Sequence, residues 1–287
     1  MTVLVSGATG NVGSEVVRAC SAAGMRVRVA GSRLSVLEKR YPDLERVELD
    51  FTRKETWPSA LRGASNLFLM RPPSLANMRD TLLPFIDVAL TEDCSHIVFL
   101  SVEGADKMKW VPHRKVEDHL GRVGANYTIL RPGFFAQNLE GAYLRDIVTD
   151  HRLYVPAGSA PIAFIDAADI GDVTAAILRA PESYRNTALL LTGPEALTFS
   201  QVADILSRHV RCSVEYQPAT ALGYVWHLVT KHQLSPIQVL IQLILHLGLR
   251  KGNSSRVDPT LEDIIGRAGR TVDDYVKRSS GKFDSRH

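Results

Sequence analysis

The chain reads Ser6-Gly7-Ala8-Thr9-Gly10-Asn11-Val12-Gly13 directly behind the apolar run 2–5, which is typical of a buried strand. Apolar residues then recur at helical spacing, so a strand, a glycine-rich turn and a helix follow one another. Gly7 permits the tight turn, Gly10 lets the backbone approach a diphosphate, and Gly13 lets the helix pack closely. The order predicts dinucleotide binding at the helix N-terminus, with an ordinary strand-to-helix turn as the alternative. The residues that we expect to contact the cofactor here are Gly7, Thr9, Gly10, Asn11, Val12 and Gly13.

The length and composition are those of an ordinary globular chain. The 287 residues allow one large α/β domain or two closely packed ones. The formal net charge is +3 and the basic residues are scattered, which predicts no nucleic-acid partner. The three cysteines lie far apart without a metal-binding spacing, so we expect reduced thiols and no metal site.

The most apolar part of the chain is the segment 234–249. Gln238, Gln242 and His246 interrupt it every four residues, which predicts an amphipathic helix with one polar stripe. It is too short and too polar for a membrane span. We favour packing of its apolar side in the core, with a substrate-pocket lining or a partner surface as alternatives. Because the chain opens directly into the first predicted strand, we also expect no signal peptide and a cytoplasmic location.

Strand-like and helical segments alternate through the first half of the chain. This alternation predicts an α/β fold with a Rossmann-type, doubly wound parallel sheet, which binds ligands at the carboxyl ends of its strands. The predicted strands are 3–5, 26–30, 47–49, 66–70, 96–100 and 127–130, and the predicted helices are 14–23, 34–39, 55–61, 77–90 and 112–123.

After Arg131-Pro132 the rhythm changes to loops, short strands and helices, with a loose tail from Ser279. We expect a nucleotide-binding domain over 1–138, to which 168–192 returns. A smaller, mainly helical substrate-side domain is expected over 139–287.

The residues after the second predicted strand indicate which nucleotide is bound. An NAD-dependent enzyme usually carries an acidic residue here for the ribose 2′-hydroxyl, and this chain has none. Ser32 and Arg33 instead offer a hydroxyl and a cation, which suit a 2′-phosphate. We therefore predict NADP(H), with a solvated surface arginine as the alternative for Arg33. The residues expected to flank the adenine are Asp50 and Phe51, and those expected beside the inner ribose are Met70 and Arg71.

Several further motifs carry a resemblance to a known family. They are Ser101-Val102-Glu103-Gly104-Ala105, His113-x-x-x-Glu117, the segment Leu130-Arg131-Pro132-Gly133-Phe134-Phe135-Ala136-Gln137-Asn138, and the segments 164–171, 191–198 and 264–271. Together with the glycine turn they resemble the NmrA-like branch of the atypical short-chain dehydrogenases/reductases, over nearly the whole chain. The resemblance implies NADP(H) binding. It also implies kinship with NADPH-dependent quinone reductases, with festuclavine dehydrogenase-like enzymes, and with regulators that bind the nucleotide without turnover.

Typical short-chain dehydrogenases protonate a carbonyl oxygen with the tyrosine of a Tyr-x-x-x-Lys pair. This chain has no such pair, and no tyrosine occurs between Tyr41 and Tyr127. His113 and Glu117 stand at the expected place, four residues apart on one helical face. We expect His113 to bind the nicotinamide ribose or donate a proton, Glu117 to orient its ring, and Ser101 to lie beside the nicotinamide. The alternatives are a histidine that caps the helix and a serine that stabilises a turn.

The missing tyrosine narrows the chemistry that we expect. An iminium ion, a quinone or an enone accepts hydride with less help from an acid than a simple ketone needs. We therefore predict NADPH-dependent reduction of such a small molecule by proximity and orientation. Variants of this prediction are a place in secondary metabolism and a reaction coupled to ring formation. A homo-oligomer is left open, and the rival hypothesis is a non-catalytic NADP(H)-sensing regulator with a protein partner. Pro132 and Phe134 are further expected cofactor contacts, and Trp110, Phe135, Gln137 and Asn138 are expected substrate contacts.

Overall fold

The computed structural model describes residues 1–210 and 212–283. These fall into two compact units. The first unit comprises Met1–Pro132, Ala167–Leu191 and Thr260–Arg267. The second unit comprises Gly133–Asp166, Thr192–Pro259 and the chain from Ala268 onward. The first segment of this unit ends at Pro132, whereas the sequence analysis expected the nucleotide-binding domain to extend to residue 138. The unit also includes Thr260–Arg267 from the C-terminal part of the chain.

The elements are numbered in chain order. The strands are β1 (Thr2–Val5), β2 (Arg26–Gly31), β3 (Glu45–Glu48), β4 (Asn66–Met70), β5 (His96–Leu100), β6 (Tyr127–Pro132), β7 (Phe134–Phe135), β8 (Arg152–Leu153), β9 (Ile162–Ile165), β10 (Thr187–Leu191), β11 (Ala196–Leu197) and β12 (Glu215–Tyr216). The helices are α1 (Asn11–Ala22), α2 (Leu34–Arg40), α3 (Trp57–Leu61), α4 (Leu82–Thr91), α5 (Pro112–Arg122), α6 (Leu144–Thr149), α7 (Ala167–Arg179), α8 (Phe199–His209), α9 (Ala221–Thr230), α10 (Pro236–Arg250), α11 (Thr260–Ile265) and α12 (Val272–Ser279).

A seven-stranded sheet forms the centre of the first unit. Its order is β10-β6-β5-β4-β1-β2-β3, and every neighbouring pair is parallel. The chain runs outward from β1 through β2 and β3, then returns to β4 on the other side of β1. This reversal confirms the predicted doubly wound sheet, and it places the ends of β1 and β4 at the switch point where such sheets bind ligands.

Helix α4 is shorter than predicted. The sequence indicated a helix from residue 77, whereas α4 begins at Leu82. The side chain of Asn77 donates a hydrogen bond to Asp80, at 2.6 Å, and the Thr81 hydroxyl donates to the Asn77 carbonyl. These local bonds close a polar turn that competes with the helix.

Helices α1 and α7 pack against each other at one glycine of the first unit. A Cβ atom on Gly171 would lie 2.4 Å from the carbonyl oxygen of Glu15. The same pair of helices is joined by Arg18, which donates to Asp172 at 2.8 Å. Gly171 is therefore required by close backbone approach rather than by an unusual backbone angle.

The second unit has two small sheets and most of the later helices. In the first sheet β9 pairs with β7 in parallel and with β11 antiparallel, and in the second β8 pairs with β12. The rings of Phe134, Phe164 and Phe199 meet edge to face in its core, with Phe134 and Phe164 centred 5.5 Å apart. The expected loose tail is wrong for its first part, because Phe283 is buried in this core. The rest of that tail, 284–287, lies outside the described residues.

Helix α10 departs in part from the expected division of its faces. His246, which was assigned to the polar stripe, is fully buried and accepts a hydrogen bond from the Tyr143 hydroxyl at 2.6 Å. Its other ring nitrogen donates to the Gln242 carbonyl. Val239 and Leu249 pack in the core as expected. Core packing was the wrong expectation for five apolar side chains that face outward and are exposed, namely Ile237, Leu240, Ile241, Ile244 and Leu245. No helix within the described part of the chain has both the length and the hydropathy to span a bilayer.

We expect Gly171→Ala to destabilise the first unit by about 1–3 kcal/mol, because the new methyl group has to push α1 and α7 apart. Gly121→Ala in α5 is the matched control, since its Cβ meets nothing closer than the Tyr127 hydroxyl at 3.7 Å. Alanine there should leave stability unchanged or raise it by up to about 1 kcal/mol. Urea unfolding of both variants measures the difference, and equal midpoints would contradict the packing argument.

Candidate functional site

The glycine turn after β1 contains three glycines with different structural reasons. Gly7 has φ +62°, and a Cβ on it would lie 2.3 Å from the sulfur of Met70. A Cβ on Gly13 would lie 2.1 Å from the Gly7 carbonyl oxygen. A Cβ on Gly10 would come no closer than 3.4 Å to any protein atom, and its backbone is extended. Packing within the protein thus requires glycine at positions 7 and 13. It does not require glycine at position 10, where the protein leaves room for a Cβ atom.

The start of α1 leaves its first N–H groups available. Gly10 is the N-cap residue, and no side chain caps the helix. Thr9 and Asn11 are exposed on either side of it, and Val12 is buried. The turn therefore presents unsatisfied donors and the positive end of a helix dipole, the combination that binds phosphate.

Two side chains from the end of α2 hold the tip of the turn. Tyr41 donates its hydroxyl proton to the Ala8 carbonyl at 2.6 Å, and Arg40 donates to the Thr9 carbonyl at 3.2 Å. The sequence analysis did not identify Tyr41 as a contact of the turn, because nothing in the glycine motif points to so distant a partner. These bonds fix the turn before any ligand arrives.

The residues predicted to select the nucleotide lie at the end of β2. Ser32 and Arg33 are both exposed, and Arg33 begins α2 as its N-cap residue with extended backbone. Since β1 and β2 are parallel neighbours, this hydroxyl and this cation lie at the same sheet edge as the glycine turn. The structure therefore brings the predicted 2′-phosphate contacts together with the predicted diphosphate contacts.

Asp50 and Phe51, which follow β3, have local structural roles. The Asp50 carboxylate accepts from the backbone N–H and the hydroxyl of Thr52, at 2.9 and 2.7 Å. The Phe51 ring is buried and meets Phe85 edge to face. We expected both residues to flank an adenine ring, but the structure assigns the Phe51 ring to the core.

Ser101, Glu117 and Arg131 form a connected group at the ends of β5 and β6. Ser101 donates its hydroxyl proton to Glu117 at 2.6 Å. Arg131 binds both carboxylate oxygens of Glu117, at 3.1 and 2.7 Å, which raises the pKa of Arg131. Burying this carboxylate is tolerable because it is paired twice. Glu117 therefore does not orient His113 as expected, and its actual partner Arg131 was quoted in a motif but given no role.

The hydrogen bond to Glu117 determines what Ser101 offers to a ligand. A serine hydroxyl has one proton and two lone pairs, and the proton is committed to Glu117. Ser101 is also almost completely buried. In this arrangement the Ser101 oxygen has lone pairs that can accept a hydrogen bond from a ligand, but its proton is not available to that ligand.

His113 has Arg71 as its polar neighbour. The Arg71 Nε–H points to Nε2 of His113 at a long 3.5 Å. Burial and this cation lower the pKa of His113 to about 4. The ring is therefore neutral at neutral pH with Nε2 as an acceptor. This state does not favour the expected proton donation, and the alternative contact with the nicotinamide ribose stays a prediction.

The segment after β4 is rigidly held. Arg71 also donates to the carbonyls of Pro73 and Leu75, at 3.1 and 2.6 Å, and the Met70 side chain packs on Gly7. Met70 and Arg71 thus follow β4, with Met70 against the glycine turn, and their expected contact with the inner ribose stays a prediction.

Trp110, a predicted substrate contact, is 68% exposed in the loop before α5.

The remaining predicted residues follow Arg131. Pro132 is buried at the end of β6 in the first unit, and Phe134 is buried in the core of the second. Gln137 is buried too, and its amide donates to Asp166 at 2.9 Å. Phe134 and Gln137 therefore have structural partners in the second unit, and the only half-buried residues of this predicted set are Phe135 and Asn138.

Three known proteins illustrate what this chain is similar to. An NAD(P)H azoreductase from Xenophilus azovorans is 27% identical, over 98% of this chain and 99% of its own. An agroclavine dehydrogenase from Claviceps fusiformis is 25% identical, over 96% of each. An NADPH-dependent quinone oxidoreductase from Escherichia coli, solved in complex with NADPH, superposes with a TM-score of 0.84 at 21% identity, over 97% of this chain and 99% of its own.

The family assignment rests on a match along most of the chain. The model of the NmrA-like family matches residues 1–261. That range contains the glycine turn, the segment that follows β4 and the group around Glu117. The chain belongs to the NmrA-like family.

Proposed function

We propose that this protein is an NADPH-dependent reductase of a small organic molecule with an activated acceptor group. The observation that carries the proposal is the glycine turn, in which position 10 is a glycine although the packing of the protein does not require one there. A backbone that carries no side chain next to uncapped helix N–H groups fits a diphosphate. Ser32 and Arg33 at the same sheet edge, with no acidic residue beside them, fit a 2′-phosphate.

The relatives support the same reading. One is named as an NAD(P)H azoreductase and one as an agroclavine dehydrogenase, and the similar structure is that of a quinone oxidoreductase with NADPH. All three names describe redox chemistry on small molecules that contain conjugated or nitrogen-containing groups. The alkaloid relative also supports a place in secondary metabolism.

The bound cofactor would supply a hydride, and the chain's own residues supply binding and orientation. Glu117 is paired with Arg131, the Ser101 hydroxyl donates its hydrogen bond to Glu117, and His113 is neutral. None of these three candidate residues is set up to give a proton to substrate. Acceptors that need no proton while hydride arrives, namely iminium ions, quinones and enones, therefore suit this site better than simple ketones.

One observation favours the rival function, a nucleotide-binding regulator without turnover. The outward face of α10 carries five exposed aliphatic side chains, which is unusual for a surface without a partner. Turnover separates the two functions, because a regulator would bind NADPH and leave it unoxidised.

The direct test of the proposed reductase is a panel of quinones, iminium ions and enones with NADPH, followed by the loss of nicotinamide absorbance. At least one class of acceptor should be reduced. Ser101→Ala should lower kcat, because it removes the hydroxyl that bonds to Glu117 and that we expect beside the nicotinamide. Simple ketones serve as the comparison and should react at least about tenfold more slowly. If no compound of the panel is reduced although NADPH still binds, the result would contradict the reductase and favour the regulator.

Gly10→Val should fold normally, because the protein leaves room for a Cβ atom at this position. It should lose most of its NADPH affinity, because the side chain would occupy the space that the proposal assigns to the diphosphate. We expect its melting temperature within a few degrees of the wild type and its Kd for NADPH at least about a hundredfold higher. Fluorescence titration and thermal melting measure the two quantities. Unchanged affinity would mean that the turn does not bind the diphosphate.

Arg33→Ala is the companion variant, since it lies outside the glycine turn. It should weaken NADPH binding by about tenfold or more and leave NADH binding nearly unchanged, as the lost cation faces only the 2′-phosphate. Equal loss for both nucleotides would contradict the assignment of Arg33.

His113 should make the protein sensitive to mild acid. Unfolded histidine takes up a proton near pH 6.5, but the folded ring resists until about pH 4, so stability falls as the pH drops between these values. His113→Gln should lessen that fall by up to about 1.4 kcal/mol per pH unit. Urea unfolding at pH 7, 6 and 5 measures both slopes. The variant keeps some slope, because burial also lowers the pKa of His246 to about 4. Identical slopes in both proteins would mean that His113 is protonated normally.

A further inference from the structure

Three side chains of types that bind metal ions meet in the second unit, and none of them is among the residues discussed for the nucleotide. Asp146 lies in α6, His227 lies in α9, and His232 lies in the loop that follows α9. Asp146 and His227 are buried, and His232 is half-buried. The sequence analysis expected no metal site because it considered only the spacing of the cysteines. The two histidines are separated by four residues, a spacing that occurs in zinc sites, but the carboxylate is 81 residues from the first of them.

The distances in this cluster are close to those of neighbouring ligands on one small ion. Nε2 of His227 lies 3.0 Å from Oδ1 and 2.9 Å from Oδ2 of Asp146, and Nε2 of His232 lies 3.3 Å from Oδ1. The ligand atoms of all three residues lie within 4.8 Å of one another. Bonds of about 2.0–2.1 Å around a tetrahedral zinc ion put neighbouring ligand atoms about 3.3 Å apart. Both histidines already turn the same nitrogen toward the same carboxylate.

The surrounding structure holds the three side chains in place. The Tyr154 ring meets His227 edge to face at 5.0 Å, and the two imidazoles are themselves centred 5.0 Å apart. Arg145, next to Asp146 in α6, donates to the Lys231 carbonyl beside His232. The loop is closed further by the Leu234 N–H, which donates to the Leu228 carbonyl at 3.2 Å. The ligands are therefore preorganised, which lowers the entropic cost of binding.

A second histidine–aspartate pair shows what an ordinary ion pair looks like in this protein. His119 lies 2.7 Å from Asp87, whose side chain is 53% exposed, whereas the Asp146 side chain is 6% exposed. That surface pair has one imidazole, but the cluster has two on one buried carboxylate. Burial and the doubled imidazole distinguish the cluster from a surface contact.

We propose that Asp146, His227 and His232 form a binding site for a divalent transition-metal ion of the zinc class. Two imidazole nitrogens and one carboxylate oxygen are ligands that zinc, cobalt and nickel accept, and magnesium or calcium would prefer more oxygen. Water completes the coordination on the side of the half-buried His232. The ion joins α6 to the loop between α9 and α10. The site is independent of nucleotide binding and of the proposed reductase activity.

The test uses full-length protein without an affinity tag, first treated with a chelator and then freed of it. Zinc affinity is measured by competition with a chromophoric chelator, and Co²⁺ is added separately to record its visible absorption. We expect one equivalent of either ion, with a Co²⁺ spectrum typical of nitrogen and oxygen ligands at low coordination number. No saturable binding at one equivalent would overturn the proposal.

Two variants locate the ion. His232→Gln should weaken zinc binding by more than about tenfold, because it removes one of three ligands, and His119→Gln should leave the affinity unchanged. Equal affinities of the wild type and the His232→Gln variant would overturn the site even if the protein binds zinc elsewhere.

A measurement on the wild type covers the case in which His232→Gln does not fold. Long-range ¹H–¹⁵N spectra of the histidine side chains, recorded before and after one equivalent of zinc, should show two imidazoles shifting at Nε2. Shifts confined to other histidines, or no shifts, would contradict the proposal.

Discussion

The backbone of the glycine turn lies so close to the first turn of α1 that Gly13 has no room for a Cβ atom. The same turn meets the Met70 side chain at Gly7, so its position is fixed by the end of β4 as well as by the end of β1. Tyr41 and Arg40 fix its tip from the other side. The direction of α1, the position of Met70 beside the turn and the uncapped N–H groups at the start of α1 all depend on this contact between backbones.

The candidate site is built from groups whose charges are already matched. Arg131 pairs with Glu117, Glu117 accepts a hydrogen bond from Ser101, and Arg71 and burial keep His113 neutral. None of these three residues, Glu117, Ser101 and His113, is therefore placed to donate a proton to a ligand. This agrees with the absence of a Tyr-x-x-x-Lys pair in the sequence.

Local patterns predicted the sheet, because buried parallel strands are short apolar runs and the glycine turn follows the first of them directly. They also predicted which strand ends carry the candidate residues. The partners of those residues were not predictable, since Arg131 and Arg71 are brought to Glu117 and His113 only by the folded sheet. The residues of α10 were misassigned for a related reason. Periodicity separates two faces of a helix, but the buried face is selected by neighbours such as Tyr143, which here offers a hydrogen bond to His246.

The outward face of α10 has a consequence for how the protein behaves in water. Five branched aliphatic side chains, from Ile237 to Leu245, keep a hydration shell that folding does not remove. Salts that are excluded from protein surfaces, such as sulfate, raise the free energy of that shell, whereas they strengthen the buried core. We therefore expect the same salt to raise the free energy of unfolding and to lower the solubility, so that concentrated sulfate precipitates the protein in its folded state.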